Sequence, residues 1–373
     1  MYRVRAILRN RALAGQKPAP RWTHYNRGMK YVNALFATVA HRVKPPVLIA
    51  LGPPWPVANL VKTLALPEAD VTCAQFDLHQ TDRVRECLAE VGAAAEVVAV
   101  PDIWDLPPRF NTVIFPASAQ SDREVKIDVV EQGAHVLAPG GVFLTLSEYE
   151  KDSQFSKLQK KVFGKCGETP SSEQGMAFFS TKTEESGKRR RHEVKYHASI
   201  GEGASMEFVS RPGTFSYGRF DNGSRAMLEV AEIHERDGVL DLGCGNGAVG
   251  CLAGQQAGPN GRVTFIDSSL RAIALAELNA RANGITNTRF VTATRLQGLE
   301  ANAFDVILAN PPYYAQSEIT RLFVEGSRDL LRPGGRYYIV TKMPTAVMPL
   351  IFDIFGDCSV IENRGYSVVI SGV

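Results

Sequence analysis

A block pattern that occurs twice constrains the fold of this 373-residue chain more than any other feature. Four segments of the first half recur in the same order in the second half at a nearly constant spacing: VLIALGPP (47–54) with VLDLGCGN (239–246), CAQFD (73–77) with VTFID (263–267), FNTVIFPAS (110–118) with FDVILANPP (304–312), and HVLAPGGVFLTLS (135–147) with DLLRPGGRYYIVT (329–341). Solenoid repeats have much shorter periods, of roughly 20–50 residues. The pattern therefore indicates two copies of one domain.

Within each copy, short apolar strands alternate with helical patterns, which is typical of a doubly wound parallel sheet. The run at 306–309 is an example, because a continuous apolar strand has no face exposed to water. We predict an α/β fold that is a tandem duplication of a Rossmann-like domain. The predicted boundaries are 1–181 for the first copy, 182–196 for a polar linker and 197–373 for the second copy. The last two strands should form a hairpin that turns at 363–365.

The two copies differ at the carboxyl ends of their strands, where open α/β sheets bind ligands. The second copy has GCGNG at 243–247 and NPPY at 310–313, whereas the first has GPPWP at 52–56 and FPAS at 115–118. Proline lacks the backbone N–H and the conformational freedom that a ligand-binding glycine turn uses. We therefore expect the first copy to be degenerate, with a binding or stabilising role, and the second copy to carry the catalysis.

Composition excludes several classes of protein. Charged residues make up 22% of the chain, and no apolar run reaches the ~18 residues that a membrane span needs. The six cysteines contain no CxxC pair, and the seven histidines are equally dispersed. This distribution argues against a metal site and against a disulfide framework, and it suits a reducing cytoplasm.

Positive charge is concentrated at the start of the chain. Residues 1–67 contain 11 Lys and Arg, several aromatic residues and no acidic residue, although the net charge of the whole chain is only +3. Basic and aromatic residues that alternate in this way indicate a polyanion binder, and nucleic acid is the simplest such partner. We assign Arg3, Arg5 and Arg9 to substrate binding. A solvated charged face and a transit peptide stay open as alternatives, although the segment lacks the serines that transit peptides usually have.

The segment DLGCGNG suggests a cofactor site in the second copy. Glycines after a strand let the backbone approach a ligand closely. Gly243, Gly245 and Ala248 fit a loose dinucleotide pattern, and Asp267 at the end of the next strand suits the hydroxyls of a ribose. Asp241 would place a carboxylate near a pyrophosphate, which disfavours NAD and favours a ligand with an amine and no phosphates, such as S-adenosylmethionine. Both aspartates could instead be turn or capping residues.

These motifs together resemble a known family. DLGCGNG, Asp267 and NPPY resemble the class I methyltransferases that modify planar exocyclic nitrogens. RPGTFSYGRFDNGSRAML (211–228) resembles the segment that precedes the catalytic domain in two types of bacterial ribosomal RNA guanine-N2 methyltransferase, type C for the small ribosomal subunit and type G for the large one. Those proteins are tandem duplications with an inactive N-terminal half. The resemblance implies S-adenosylmethionine as the cofactor and ribosomal RNA or a ribosomal subunit as the partner, and we expect a cytoplasmic monomer without membrane contact.

The resemblance also implies roles for individual cofactor-binding residues. Asp241, Gly243 and Gly245 would hold the methionine end of S-adenosylmethionine, and Asp267 would bind its ribose. We add the neighbouring Ser268 to this group.

Other residues would contact the adenine or the substrate. The segment TATR (292–295) stands where family members contact adenine with Asp or Asn, so Thr294 or Arg295 would fill that role here. Phe215, Asp221 and Ser224 would line the entrance to the pocket.

The NPPY motif suits the methylation of an exocyclic amine, whose lone pair is delocalised into the ring. Asn310 Oδ1 and the Pro311 carbonyl would accept the two amine hydrogens, and Tyr313 would stack on the base. Family members commonly have Phe at the position of Tyr313, and both rings can stack. A base inside a duplex cannot reach such a pocket, so the target would be flipped out or already unpaired.

Two other functions stay open at this level. The amide of a protein glutamine is also planar and also suits NPPY. A non-catalytic RNA-binding assembly factor could have retained a cofactor pocket, although the presence of Asp241, Asp267 and Asn310 argues against it.

Overall fold

The structure of the chain is a computed structural model. It describes residues 22–118, 121–183, 190–296, 298–311 and 318–373, with only the backbone for 22–30 and 318. The described residues form two compact units that separate between Glu193 and Val194. Of the helices in these ranges, none is both long and apolar enough to cross a membrane.

The described residues of the first unit form five helices around one mixed sheet. Its strands are β1 (Val47–Ala50), β2 (Val71–Gln75), β3 (Glu96–Ala99), β4 (Phe110–Ala117), β5 (Leu137–Ser147), β6 (Gly167–Glu168) and β7 (Met176–Thr181). Its helices are α1 (Trp22–Val39), α2 (Pro54–Leu64), α3 (Leu78–Val91), α4 (Arg123–Val136) and α5 (Ser153–Phe163). The strand order is β3-β2-β1-β4-β5-β7-β6, and only β6 and β7 run antiparallel to their neighbours.

The second unit begins with an antiparallel hairpin, β8 (Val194–Ala198) and β9 (Met206–Ser210), which forms a sheet of its own. The strands of its main sheet are β10 (Gly238–Leu242), β11 (Arg262–Asp267), β12 (Thr288–Thr292), β13 (Phe304–Ala309), β14 (Leu331–Thr341), β15 (Ser359–Asn363) and β16 (Tyr366–Gly372). Its helices are α6 (Asn222–Val230), α7 (Ala248–Ala257), α8 (Leu270–Ala282), α9 (Glu318–Ser327) and α10 (Pro344–Phe355). The order β12-β11-β10-β13-β14-β16-β15 repeats that of the first unit.

The equal strand order confirms the predicted fold, a tandem duplication of an α/β Rossmann-like domain. The central strands β1 and β10 are buried along their whole length, because helices cover both faces of each sheet. The predicted final hairpin is present as β15 and β16. The predicted linker, 182–196, contains the point where the units separate. Its residues 184–189 lie outside the described part of the chain, and strand β8 begins at Val194.

Strand pairing corrects one detail of the predicted repeat. Val71 and Val263 pair with equivalent residues of the two central strands. Counted from this pair, Asp267 corresponds to Gln75 and not to Asp77. Asp77 instead caps helix α3 with its carboxylate. Both aspartates precede a helix in sequence, so the alignment paired them, but strand register depends on the neighbouring strand and not on local sequence.

Candidate active site

A glycine turn joins β10 to α7 in the second unit. Gly243, Gly245 and Gly247 have φ angles of +74°, +54° and +80°, in the left-handed region that favours glycine. A Cβ at Gly247 would also stand 2.8 Å from the backbone of Ala276 in α8. The N–H of Gly243 donates to the carbonyl of Ile266 over 2.9 Å. The turn therefore lies against the end of β11 and presents backbone rather than side chains.

Asp241 is the buried acid of this turn, with 3% of its surface exposed. Its Oδ2 accepts the Gly250 N–H over 2.7 Å, and it forms no salt bridge with a described residue. Its pKa is raised to about 7, chiefly because burial disfavours the charged form; the Gly250 N–H opposes this rise and the charge of Asp267 adds to it. A cation that reached Asp241 would relieve this cost.

Asp267 ends β11 and connects the glycine turn to helix α8. Its Oδ2 accepts the Gly245 N–H, and its Oδ1 accepts the Ser269 N–H, each over 2.9 Å. Ser269 in turn caps α8 by accepting the Ala272 N–H. These bonds hold the carboxylate in one orientation at the carboxyl end of the strand.

Asn310 follows the last residue of β13, and its amide is oriented by two acceptors. Its Nδ2 donates to Asp221 Oδ1 and to Ser224 Oγ, each over 2.9 Å. Asp221 also caps helix α6 by accepting the Ser224 N–H over 2.9 Å. Because a carboxylate only accepts, the NH₂ group must face Asp221 and the carbonyl oxygen must face away. Asn310 Oδ1 is buried and has no hydrogen-bond partner among the described residues.

One cleft collects most of the predicted site residues that the structure describes. Those that line it are Phe215, Asp221, Ser224, Asp241, Gly243, Gly245 and Asn310. Pro311 is buried directly after Asn310. Asp267, Ser268 and Thr294 are not among the residues that line the cleft, although Asp267 bonds to its glycine turn. Tyr313 and the arginines Arg3, Arg5 and Arg9 lie outside the described residues.

The cleft also contains residues that sequence reasoning missed: Tyr196, Ser216, Arg219, Phe220, Met227 and Asn246. Tyr196 lies on β8, in a segment predicted to be linker, and its hydroxyl accepts from Asn246 Nδ2 over 2.9 Å. Ser216 has a left-handed φ of +56°, and its buried Oγ has no partner in the part of the chain that the structure describes. A backbone held in that region at a site wall is a common sign of a functional constraint. Ser216 lies in the segment 211–228 that carries the family resemblance, but its left-handed backbone cannot be predicted from the sequence.

The sequence profile of the methyltransferase small domain family matches residues 205–370. The match covers 166 of the 373 residues, less than half of the chain. The glycine turn, Asp267 and Asn310 all fall within the matched residues. Strand β9 also lies within them, whereas strand β8 and the whole first unit lie before them.

Similar proteins extend the match beyond that domain. The ribosomal RNA large subunit methyltransferase G of Streptomyces avermitilis is 26% identical over 308 residues, which cover 78% of this chain and 79% of that protein. The protein of the same name from Streptomyces griseus is 31% identical over 185 residues, and that alignment covers 47% of the chain and 47% of the relative, about half of its length.

A solved structure shares the duplicated fold. The T. thermophilus 16S rRNA N2 methyltransferase, solved in complex with AdoMet and guanosine, superposes with a TM-score of 0.70 over 91% of each chain at 20% identity. At this identity the likeness shows the fold. These sequence matches support the family that the motifs of the second unit predicted, the class I ribosomal RNA guanine methyltransferases.

Proposed function

We propose that the chain transfers a methyl group from S-adenosylmethionine to the exocyclic N2 amine of a guanine in ribosomal RNA. The observation that carries this proposal is Asn310 Oδ1, a buried acceptor without a partner among the described residues. Leaving such a group unsatisfied costs about 1–3 kcal/mol. The arrangement therefore suits a substrate that donates a hydrogen bond at this point, as an amine does.

The relatives support the type of substrate. The Streptomyces proteins are named as methyltransferases of large-subunit ribosomal RNA, and the T. thermophilus enzyme was solved with AdoMet and guanosine. An RNA guanine is the substrate that agrees with all of these names. We place the reaction in the cytoplasm, where ribosomal RNA is modified.

The residues of the glycine turn fit S-adenosylmethionine. We propose that Asp241 faces the ammonium of its methionine end, because a buried carboxylate with a raised pKa gains most from a cation. The backbone at Gly243 and Gly245 has no side chain to obstruct the ligand. Asp267 would accept from the ribose hydroxyls, with Ser268 and Thr294 nearby. The bound cofactor supplies an electrophilic methyl group on a sulfonium.

The residues at the acceptor end would orient the amine. Asn310 Oδ1 and the Pro311 carbonyl would accept its two hydrogens and so direct the nitrogen lone pair at the methyl group. Asp221 and Ser224 would keep the Asn310 amide from turning, because they already bind its NH₂ group. Orientation of this kind can lower a barrier by several kcal/mol. No strong base is needed, because the amine proton becomes acidic as the new bond forms.

Two aromatic rings would hold the base. Phe215 lines the cleft with 49% of its surface exposed, so its ring is accessible to a base. We propose that Phe215 and Tyr313 stack on the guanine. Each base that stacks on an aromatic ring gains about 1–3 kcal/mol.

The test uses ribosomal RNA from a strain that lacks the gene. Nucleoside mass spectrometry before and after addition of the full chain and S-adenosylmethionine should show a gain of N2-methylguanosine. Methylation of a protein glutamine instead would favour the alternative substrate. If calorimetry detects no S-adenosylmethionine binding, an assembly factor without catalysis is the better description.

A further inference from the structure

Helix α5 of the first unit carries a group of exposed lysines. Lys157, Lys160 and Lys161 lie three and four residues apart, so they share one side of the helix, and Lys165 follows just after its end. We call these four residues the α5 lysine face. None of them forms an ion pair with a described residue, and the helix itself contains no Asp or Glu. Glu168 on β6 is exposed nearby but pairs with none of them.

The opposite side of α5 is fixed to the sheet. Gln159 is fully buried, and its Nε2 donates to Thr145 Oγ1 over 2.9 Å while its Oε1 accepts from Ser180 Oγ over 2.8 Å. Asp152 caps the first turn, and Gly164, at φ +79°, closes the last turn with an N–H to the Lys160 carbonyl over 2.9 Å. The lysines therefore project from a rigid element.

Three arginines of the same unit are neutralised locally. On α3, Arg83 pairs with Glu86, and Arg85 pairs with Asp82 over 2.9 Å. Arg109 before β4 lies 3.5 Å from Glu96. These three arginines therefore provide a set of ion-paired cations in the same unit with which the lysines can be compared.

The equivalent helix of the second unit shows that the fold does not require this charge. α10 occupies the same place between the fifth and sixth strands of its sheet, and its capping Gly356 also donates to the carbonyl four residues before it, over 2.8 Å. Counted back from the two glycines, Phe352 and Asp353 stand where Lys160 and Lys161 stand in α5. Interaction with the helix dipole could account for lysines at the end of the helix, but not for Lys157, which lies in its first half.

We propose that the α5 lysine face binds the ribose–phosphate backbone of the RNA substrate. Lysine is a compact point charge that suits phosphates and carries no base specificity. Four cations without acidic partners, on a rigid helix, present a surface that a polyanion can neutralise with release of counterions. This inference rests on RNA being the substrate, and it gives the degenerate copy a role in binding that RNA.

The test compares two variants of the full chain that lose the same charge. One is K157Q/K160Q/K161Q. The control is R83Q/R85Q/R109Q, which removes three ion-paired cations from the same unit. Binding of a fluorescent single-stranded RNA of mixed sequence is measured by anisotropy over a range of salt concentrations, without cofactor. The lysine variant should show a log–log salt slope flatter by about 0.7 per lost phosphate contact, or about 2 for three contacts, and the control a nearly unchanged slope.

Thermal denaturation and calorimetry with S-adenosylmethionine accompany the measurement. Both should match the parent protein in the lysine variant, which would show that its fold and its cofactor site are intact. A parental salt slope in the lysine variant would overturn the proposal. It would favour an acidic protein as the partner that binds these lysines. An equal loss in both variants would also overturn it, because net charge alone would then explain the effect. Neither result depends on methyl transfer, so a failure of the catalytic proposal is detected separately.

Discussion

The two copies place different residues at matching positions of the same sheet. β4 and β13 pair in the same register with their central strands, so Pro116 of the first copy stands where Asn310 stands in the second. By the same count, Ile49 stands where Asp241 stands. The first copy has kept the strands and replaced both a buried acceptor and a buried acid by apolar groups. The scaffold and the site chemistry are therefore separable in this fold.

The turn after the first strand shows how much of the backbone was retained. Leu51 has a φ of +57°, close to the +74° of Gly243 at the equivalent position, although a leucine is strained there. The Pro116 ring lies so near Gly52 that a Cβ on Gly52 would be 2.4 Å from Pro116 Cγ. The first copy thus keeps the shape of the glycine turn and packs a proline ring against it.

The hydrogen bond between this turn and the second strand has opposite directions in the two copies. In the first copy, Gln75 Nε2 donates to the Gly52 carbonyl over 3.2 Å. In the second, Asp267 Oδ2 accepts the N–H of Gly245 over 2.9 Å. Both bonds hold the turn, but only Asp267 adds a negative charge that a ribose hydroxyl can approach as a donor.

The largest expected effect comes from Asn310→Ala. Methyl transfer should fall by at least about 10²–10³-fold, the scale for loss of one preorganised hydrogen-bonding group at a reacting centre. Cofactor affinity should stay within a few-fold, because the lost oxygen acts on the amine. The measurements are single-turnover methyl transfer to RNA and calorimetry with S-adenosylmethionine. The matched change in the first copy, Pro116→Ala, should leave both unchanged.

A joint loss of cofactor binding and activity in Asn310→Ala would contradict this view. Asn310 would then serve the fold, through its bonds to Asp221 and Ser224.

Asp267→Ala should weaken S-adenosylmethionine binding by about 1.5–3 kcal/mol, the range for a hydrogen bond to a charged acceptor. Gln75→Ala, at the equivalent position, should have no effect on cofactor affinity. Calorimetry should also give one cofactor per full chain, because the first copy lacks the acids and the amide. Unchanged affinity in Asp267→Ala at normal thermal stability would rule out the ribose contact, and two cofactors per chain would show that the first copy binds as well.

The raised pKa of Asp241 predicts a pH dependence of cofactor binding. As the pH falls through about 7, Asp241 becomes protonated and loses the charge that attracts the ammonium. Affinity measured by calorimetry should therefore fall between pH 8 and pH 6, by up to about tenfold for each pH unit below the pKa. Asp241→Asn should bind weakly at both pH values and show little dependence on pH.

Asp241 also affects the stability of the fold, and this effect has the opposite dependence on pH from that of cofactor affinity. The folded protein without cofactor must hold a buried charge above pH 7, whereas the unfolded chain ionises Asp241 already near pH 4. The contribution of Asp241 to the free energy of unfolding is thus lost as the pH rises from about 4 to 7. Asp241→Asn should raise the thermal stability at pH 8, on a scale of about 1.4 kcal/mol per tenfold difference in proton affinity. A lower stability would show that the carboxylate is needed for its bond to Gly250.

The smallest expected effect concerns the arginines near the start of the chain. Replacement of Arg3, Arg5, Arg9 and Arg11 by Gln should flatten the salt slope of RNA binding by roughly 0.7 per lost single-strand phosphate contact. The modified nucleotide should stay the same, because base selection would lie with Asn310 and Tyr313. A parental slope would favour a solvated face or a targeting signal. Combination with the α5 lysine variant would show whether the two cationic segments contribute independently.

Much of the fold and part of the site could be predicted from the sequence. The duplication, the alternating strands and helices, and the glycine turn at 243–247 depend on local periodicity and on residues with special backbone preferences. Such features can be predicted without the tertiary structure because residues close together along the chain determine them. Asn310 could also be singled out, because the same copy carries the glycine turn and Asp267; Asn-Pro-Pro alone would equally suit a stiff exit from a strand.

Only the tertiary structure decided how these residues work together. Asp221 and Asn310 are 89 residues apart, yet their hydrogen bond orients the amide and leaves its carbonyl oxygen unpaired among the described residues. The correspondence of Asp267 with Gln75 follows only from the register of the paired strands. The sequence repeat is shifted by two residues at this point and pairs Asp267 with Asp77 instead. The left-handed backbone of Ser216 in the cleft wall could not be predicted either, although Ser216 lies in the segment 211–228 that carries the family resemblance. For the first two features the deciding contact is made by a segment distant in the chain, so local patterns carry no information about it.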